Sequence, residues 1–391
     1  MRRSGPGARA ALAAALTAVV LLACASSGPK PAELVEFTPK ARTKVVWRAA
    51  VGKAQRHLFR PAVLDGAVYA AGATGELARF EVETGRQVWR VNTGARLSGG
   101  VGLGAGQILV GSAKGVVLAY DPDGKLLWRS KVSSEVLSAP AGNSNVVIVR
   151  SGDSKVFGLN ARDGARLWEY QAAAPPLTLR AAPGIVLVGE NAVVAGFPGG
   201  KLLVLSAQTG AVLWETAVAT PRGDNELERI ADIAGAPLVE SDRICAVTYQ
   251  GRVGCYDTER GRQLWVRPAS SAGTLGAAGT VLYYTEEDGA VVALDKTSGT
   301  SVWKQDKLHA RKVSSPLPFD SYVVVGDYKG YVHFLSREDG SFAARIATDG
   351  TAIVAQPVAI EGKVLVQTAA GGLFAISVKS KDEGARRKDQ R

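Results

Sequence analysis

The chain is poor in the residues that usually carry chemistry. Its 391 residues include three histidines, three cysteines and one methionine. His57, His309 and His333 stand at no zinc-ligand spacing from one another or from a cysteine, so they read as surface or packing residues. No two cysteines are adjacent and no Gly-x-Ser-x-Gly elbow occurs. Gly100-Val-Gly-Leu-Gly-Ala105 is followed by no helical pattern and reads as a glycine-rich strand and turn rather than a dinucleotide loop. Asp224, Glu226, Glu228 and Asp232 form an acidic segment whose simplest reading is a solvated loop or a protein contact, not a cation site. No catalytic residue, metal site or cofactor is expected. Helical periodicity is almost absent as well, while valine, leucine and glycine abound, which places the chain in the all-β class.

Long apolar runs are equally rare. Arg2, Arg3 and Arg9 precede the stretch Ala10–Ala23, which is too short to span a bilayer and reads as a signal peptide over residues 1–23. It ends in Leu21-Leu22-Ala23-Cys24, which resembles the lipobox of bacterial lipoproteins. That resemblance implies acylation of Cys24, several acyl chains being ample for stable anchoring. Residues 24–41 are then a lipid-anchored tether, and Ala25 after the cysteine resembles the outer-membrane sorting pattern, with the chain facing the periplasm. Loss of the three leader arginines takes the formal charge from +11 to +8, and much of the remainder sits in Lys379, Lys381, Arg386, Arg387, Lys388 and Arg391. Residues 379–391 read as a disordered basic tail. An exported chain meets no nucleic acid, so no such partner is expected.

What is present is repetition. Six times a glycine is followed four residues later by tryptophan: Gly85/Trp89, Gly124/Trp128, Gly164/Trp168, Gly210/Trp214, Gly261/Trp265 and Gly299/Trp303. Successive glycines are 39, 40, 46, 51 and 38 residues apart, then 41 to Gly340, where Ala344 replaces the tryptophan. Periods near 40 residues suggest propeller blades. In Gly115–Asp121, Pro122-Asp123-Gly124 and Lys125–Trp128 two short apolar runs flank a tight turn, so each unit contains a hairpin. The tryptophan should pack between neighbouring blades. Pro61, Pro140, Pro237, Pro316 and Pro357 each open an earlier strand, a position proline tolerates on a free inner edge.

Eight third-strand segments can be counted, from Gly75–Val82 to Gly371–Ser377, and the last has no fourth strand after it. Val45-Val46-Trp47-Arg48 resembles a fourth strand without the first three. The N-terminal strand should therefore complete the last blade, closing the ring and hiding sheet edges. The expected fold is an eight-bladed β-propeller of four-stranded antiparallel blades over residues 42–378, with seven blades the nearest alternative.

Two cysteines remain after Cys24, and an even remainder in an oxidising compartment suggests a Cys245–Cys255 disulfide. A three-residue turn near Gln250-Gly251 would set them opposite each other, whereas a two-residue turn would shift them by one. The two long intervals, of 46 and 51 residues, are consecutive, and both extra segments follow a tryptophan strand. Insertions 171–184 and 216–234 should therefore sit side by side on one face. In Pro175-Pro-Leu-Thr-Leu-Arg180, alternating leucines beside an arginine have the character of an interface anchor.

The Asp-x-x-Thr/Ser-Gly-x-x-x-Trp repeat resembles that of quinoprotein propellers, so a periplasmic quinoprotein-like enzyme and a carbohydrate-binding propeller are the rival readings. The chain lacks the length and the adjacent cysteines of such enzymes. The order of its features instead resembles the BamB family, propeller lipoproteins of the outer-membrane β-barrel assembly machinery. The stretches that carry the resemblance are Pro176–Arg180, Glu228–Asp232, Asp306–His309 through Ser315-Pro316, and Val324–His333. It implies a non-enzymatic scaffold, monomeric within a hetero-complex, that binds the POTRA domains of BamA and helps deliver unfolded outer-membrane proteins. It also implies partner contacts at Leu177, Leu179, Arg180 and Asp232. Where the family has a second aspartate, this chain has Ala234.

Overall fold

Repeated valine and leucine runs punctuated by glycine turns build thirty-two strands, and the sheets they form number eight, each of four antiparallel strands. The computed structural model describes residues 29–381, so Cys24 and residues 382–391 lie outside the described part. Blades 1 to 7 follow one another along the chain, their inner strands beginning at Ala62, Leu97, Ala141, Ile185, Leu238, Gly276 and Leu317. Blade 8 takes Val358–Ile360, Lys363–Gln367 and Gly372–Ser380 from the C-terminal end, and Ala41–Ala50 as its outer strand. The two chain ends pair from Ala41↔Ser380 to Ala50↔Gly372. This is the expected eight-bladed ring closed by the N-terminal strand.

Burial explains the residue pattern. Middle strands are sandwiched between neighbouring blades, so Val146–Arg150 is buried at every position and reads as an unbroken apolar run. Outer strands have one wet face, and Leu126–Lys131 alternates accordingly. The five prolines each stand immediately before an inner strand, whose outer neighbour alone supplies ladder bonds.

The glycine–tryptophan repeat turns out to link blades. Each of the seven tryptophans donates its indole N–H to a backbone carbonyl of the next blade at 2.8–3.1 Å: Trp47 to Val82, Trp89 to Pro122, Trp128 to Ala161, Trp168 to Ala207, Trp214 to Thr258, Trp265 to Lys296 and Trp303 to Arg337. The ring lies on the next blade's turn glycine. At all seven turns, from Gly85 to Gly340, φ is between +66° and +86°, and a Cβ there would come within 3.0 Å of the incoming indole. Glycine is required twice over, by the left-handed backbone and by the ring. Ala344 now has its reason. Blade 8 joins its third and fourth strands from opposite chain ends, so there is no turn glycine there for a tryptophan to cover.

In blade 5, Cys245 and Cys255 are register partners on the second and third strands, fully buried and bonded to each other. Thr248 N–H reaches Arg252 O, leaving Tyr249-Gln250-Gly251 as a three-residue turn.

Two expected boundaries shift. Lys379 and Ser380, read as the start of the free tail, extend the last strand opposite Arg42 and Ala41 because the N-terminal strand offers them a ladder. Residues 32–40, read as tether, lie against blade 7, with Ala32 N–H on His309 O and Lys40 N–H on Ala343 O.

Candidate partner-binding surface

Antiparallel order forces every connection from an outer strand to the next inner strand onto one face of the disc, together with the turns between second and third strands. That face carries the two long connections, 172–184 between blades 3 and 4 and 218–237 between blades 4 and 5. They are neighbours, as their spacing implied.

On the first, Leu177 is 38% exposed, Leu179 half-buried and Arg180 exposed. Asp232 on the second does not share that surface: it is only 3% exposed. Its Oδ2 accepts the Leu179 N–H at 2.7 Å and its Oδ1 accepts the Gly199 N–H at 2.9 Å. One buried carboxylate therefore stitches both insertions to the turn of blade 4. This corrects the expectation of a partner contact at Asp232, whose carboxylate is taken up by the backbone of the protein itself. Arg180 points its Nη2 at Glu135 Oε1, 3.6 Å away in the preceding connection. Hydrogen bonds from Ser134 and the main chain, with Arg180 nearby, hold the Glu135 carboxyl below its usual range.

Beneath Asp232 lies a residue that the sequence reading missed. Arg150 ends the second strand of blade 3, fully buried, with its guanidinium 4.2 Å from the centre of the Phe197 ring and Nη1 donating to Gly196 O. Desolvation pulls its pKa down to about 9, against which the Asp232 charge acts in the opposite sense. Arg150 and Asp232 line one small cavity under Thr178 and Leu179. The only signal in the sequence is an arginine closing the apolar run Val-Val-Ile-Val. A lone buried cation is costly, and the Asp232 carboxylate lining the same cavity offsets part of that cost.

At the centre of this face a depression of about 470 Å³ is lined by Leu58, Leu179, Ala181, Ala234, Arg56 and Arg180, among others. Leu58 is 45% exposed. Arg56 and Arg180 make the mouth cationic, and burial, then their charges, lower the His57 pKa. Ala234, where the family pattern would put a carboxylate, is buried at its edge, so the mouth lacks that negative charge.

The remaining candidates are structural. Glu228 caps its own loop through Asp224 N–H at 2.8 Å, and Glu226 pairs with Arg229 at 3.2 Å. Among the described residues, no group of three histidines, cysteines or acids is placed to hold a metal ion. His309 is exposed, and His333 is buried inside blade 7. The surface offers exposed leucines, guanidinium groups and a rigid backbone, which suits binding.

Comparison with known proteins identifies the family. The family described as outer membrane protein assembly factor BamB matches residues 30–95, 73–305 and 287–384. An outer membrane protein assembly factor BamB of Burkholderia pseudomallei is 43% identical over 368 residues, covering 93% of this chain and 97% of that protein. The crystal structure of BamB from Moraxella catarrhalis superposes with a TM-score of 0.80 at 25% identity, covering 86% of this chain and all of that one. A quinohemoprotein alcohol dehydrogenase from Comamonas testosteroni shares the fold alone, with a TM-score of 0.68 at 13% identity. The close relatives are named for assembly and not for catalysis, and the chain belongs to the BamB family of outer membrane protein assembly factors.

Proposed function

We propose that this protein is a non-enzymatic scaffold subunit of the outer-membrane β-barrel assembly complex, anchored by lipid at Cys24 to the periplasmic side of the outer membrane. It binds the POTRA domains of BamA through Leu177, Leu179 and Arg180. In that position it assists the folding and insertion of outer-membrane proteins.

The observation that carries the reading is the construction of the 172–184 loop. It presents exposed Leu177, half-buried Leu179 and exposed Arg180, while its backbone is fixed by Asp232. A pre-ordered loop loses little entropy on binding, so apolar burial shows up as affinity. A guanidinium adds direction through paired hydrogen bonds. Asp232 contributes as a positioning residue. The mouth beside the loop is cationic, which favours an acidic partner surface.

Affinity capture from envelope membranes tests this. The tagged wild type should bring down BamA, whereas Leu179→Ala and Arg180→Ala chains should lose it with unchanged circular dichroism. Retention of BamA by both variants at the wild-type level would defeat the assignment.

A further inference from the structure

Two of the distinctive sequence stretches, Asp306–Pro316 and Val324–His333, take no part in the surface above. They converge inside blade 7 around Asp327, which is fully buried. Asp327 Oδ1 accepts the N–H groups of Lys329 and Tyr331 at 2.9 and 3.0 Å. Its Oδ2 accepts Arg311 Nε and Nη2 at 2.9 and 2.7 Å and faces His333 Nε2 at 3.1 Å. Arg345 Nε lies 3.2 Å from His333 Nδ1. A guanidinium can only donate, so Nδ1 is the acceptor and the ring is neutral, with its proton on Nε2 and given to Asp327. The cluster thus holds two cations against one anion, and its spare donors point outward.

Those donors meet main chain from the other end of the protein. Arg311 Nη1 donates to Ala32 O at 2.8 Å and Arg345 Nη2 to Val35 O at 3.2 Å. The Arg345 guanidinium lies 5.0 and 5.3 Å from the Phe37 and Phe342 rings, which stack on each other at 5.4 Å. Lys40 Nζ adds a bond to Ser341 Oγ at 3.2 Å. With the backbone bonds of Ala32 and Lys40, the segment is held along its whole length. A buried, fully paired network of this kind is expensive to assemble, and ring closure does not need it, because the outer strand of blade 8 starts only at Ala41.

We propose that blade 7 is a docking site for the chain's own residues 32–40, and that this docking fixes the point and the face from which the anchored N-terminus leaves the disc. The proposal rests on the reading of Cys24 as the anchor. Ala32 is held at His309, in the connection between blades 6 and 7, hence on the same face as insertions 172–184 and 218–237, three and two junctions round the ring from them. Fully extended, the eight residues from Cys24 to Ala32 reach at most about 29 Å, whereas an undocked tether running to Ala41 would reach about 60 Å. Docking therefore halves the reach, and it holds the edge of the binding face at blades 6 and 7 close to the lipid surface.

Trypsin gives a direct readout. Lys30 precedes Pro31 and resists cleavage, so Lys40 is the first susceptible site beyond Cys24, and a cut there releases the propeller from vesicles. In the full lipidated chain on phospholipid vesicles, Phe37→Ala and Arg345→Ala should each speed cleavage at Lys40 at least tenfold. For Phe37→Ala the melting midpoint of the propeller should fall by only a few degrees, as a tenfold loss of docking requires, and the vesicle binding of uncut chain should not change. Energy transfer from a label at Leu227→Cys to bilayer acceptors should fall in the same variants. Equal cleavage rates in wild type and both variants would overturn the proposal. Phe37→Ala leaves the buried cluster of blade 7 intact, so it remains decisive if Arg345→Ala fails to fold. The soluble Cys24→Ser chain separates the two readings: protected Lys40 in that chain supports docking, whatever the fate of the lipid anchor.

Discussion

Ring closure can be tested at Trp47. Its indole is 7% exposed, donates to Val82 O at 2.9 Å and covers Gly85 of blade 1, while its strand pairs with the C-terminal end of the chain. Replacing a buried aromatic of this size by alanine costs about 3–5 kcal/mol. Trp47→Phe keeps most of the buried area but leaves the Val82 carbonyl, itself buried, without its donor, a loss of about 1 kcal/mol. Trp128 makes the same contacts within the continuous chain, with Ala161 O at 3.0 Å and Gly164 under the ring. Trp128→Ala should therefore match Trp47→Ala, and guanidinium unfolding of the purified mature chain measures both. A chain lacking residues 42–49 should lose more, since it forfeits the ladder as well. If Trp128→Ala lowers the midpoint and Trp47→Ala does not, the N-terminal strand is not closing the ring.

Asp232→Asn removes one of two acceptor oxygens and should destabilise the insertions by about 1–3 kcal/mol, read as faster hydrogen exchange at Leu179 and Gly199; unchanged protection of both amides would refute the stitch. Cys245 and Cys255 close a loop with a sequence separation of 10, so paired Cys245→Ser and Cys255→Ser changes should lower stability by about 2–3 kcal/mol in urea, and an unshifted midpoint would remove the bond from the account. Burial, then the Arg345 and Arg311 charges, hold the His333 pKa below its ordinary value despite Asp327, so the folded state resists protonation. Stability should be complete above about pH 6.5 and decline as pH falls through that value. Burial raises the Asp327 carboxyl but His333, Arg311 and the Tyr331 amide outweigh it, so a second loss follows below about pH 4. A denaturation midpoint constant from pH 8 to pH 3.5 would contradict both.

The architecture was legible because propeller blades are local repeats. Tryptophan and glycine at fixed spacing report contacts that recur at every blade, and a missing fourth strand at one end found its match in Val45–Arg48 at the other. The site was legible only in part. Loop length placed the insertions together, and Leu177 and Arg180 are exposed as an anchor requires. Asp232 was read as surface because an acidic segment gives no sign of which carboxylate turns inward; that is decided by two backbone amides, at Leu179 and Gly199, brought together only by folding. Arg150 and the Arg311–Asp327–His333 cluster were missed for the same reason. Arg150 meets Gly196 and Phe197 of the next blade, while Arg311, Asp327 and His333 meet one another inside blade 7 and reach Ala32 at the far end of the chain; no spacing encodes these approaches.

The central claim is that the loop at 172–184 is where the assembly machinery is bound, and equilibrium binding of purified BamA POTRA domains tests it most directly. Truncating a true interface anchor costs about 2 kcal/mol or more, roughly thirtyfold in Kd. Leu179→Ala and Arg180→Ala should each weaken binding by that factor, while Leu213→Ala, on the exposed outer rim of blade 4, should leave it unchanged. Kd values for both loop variants within about threefold of wild type would contradict the account.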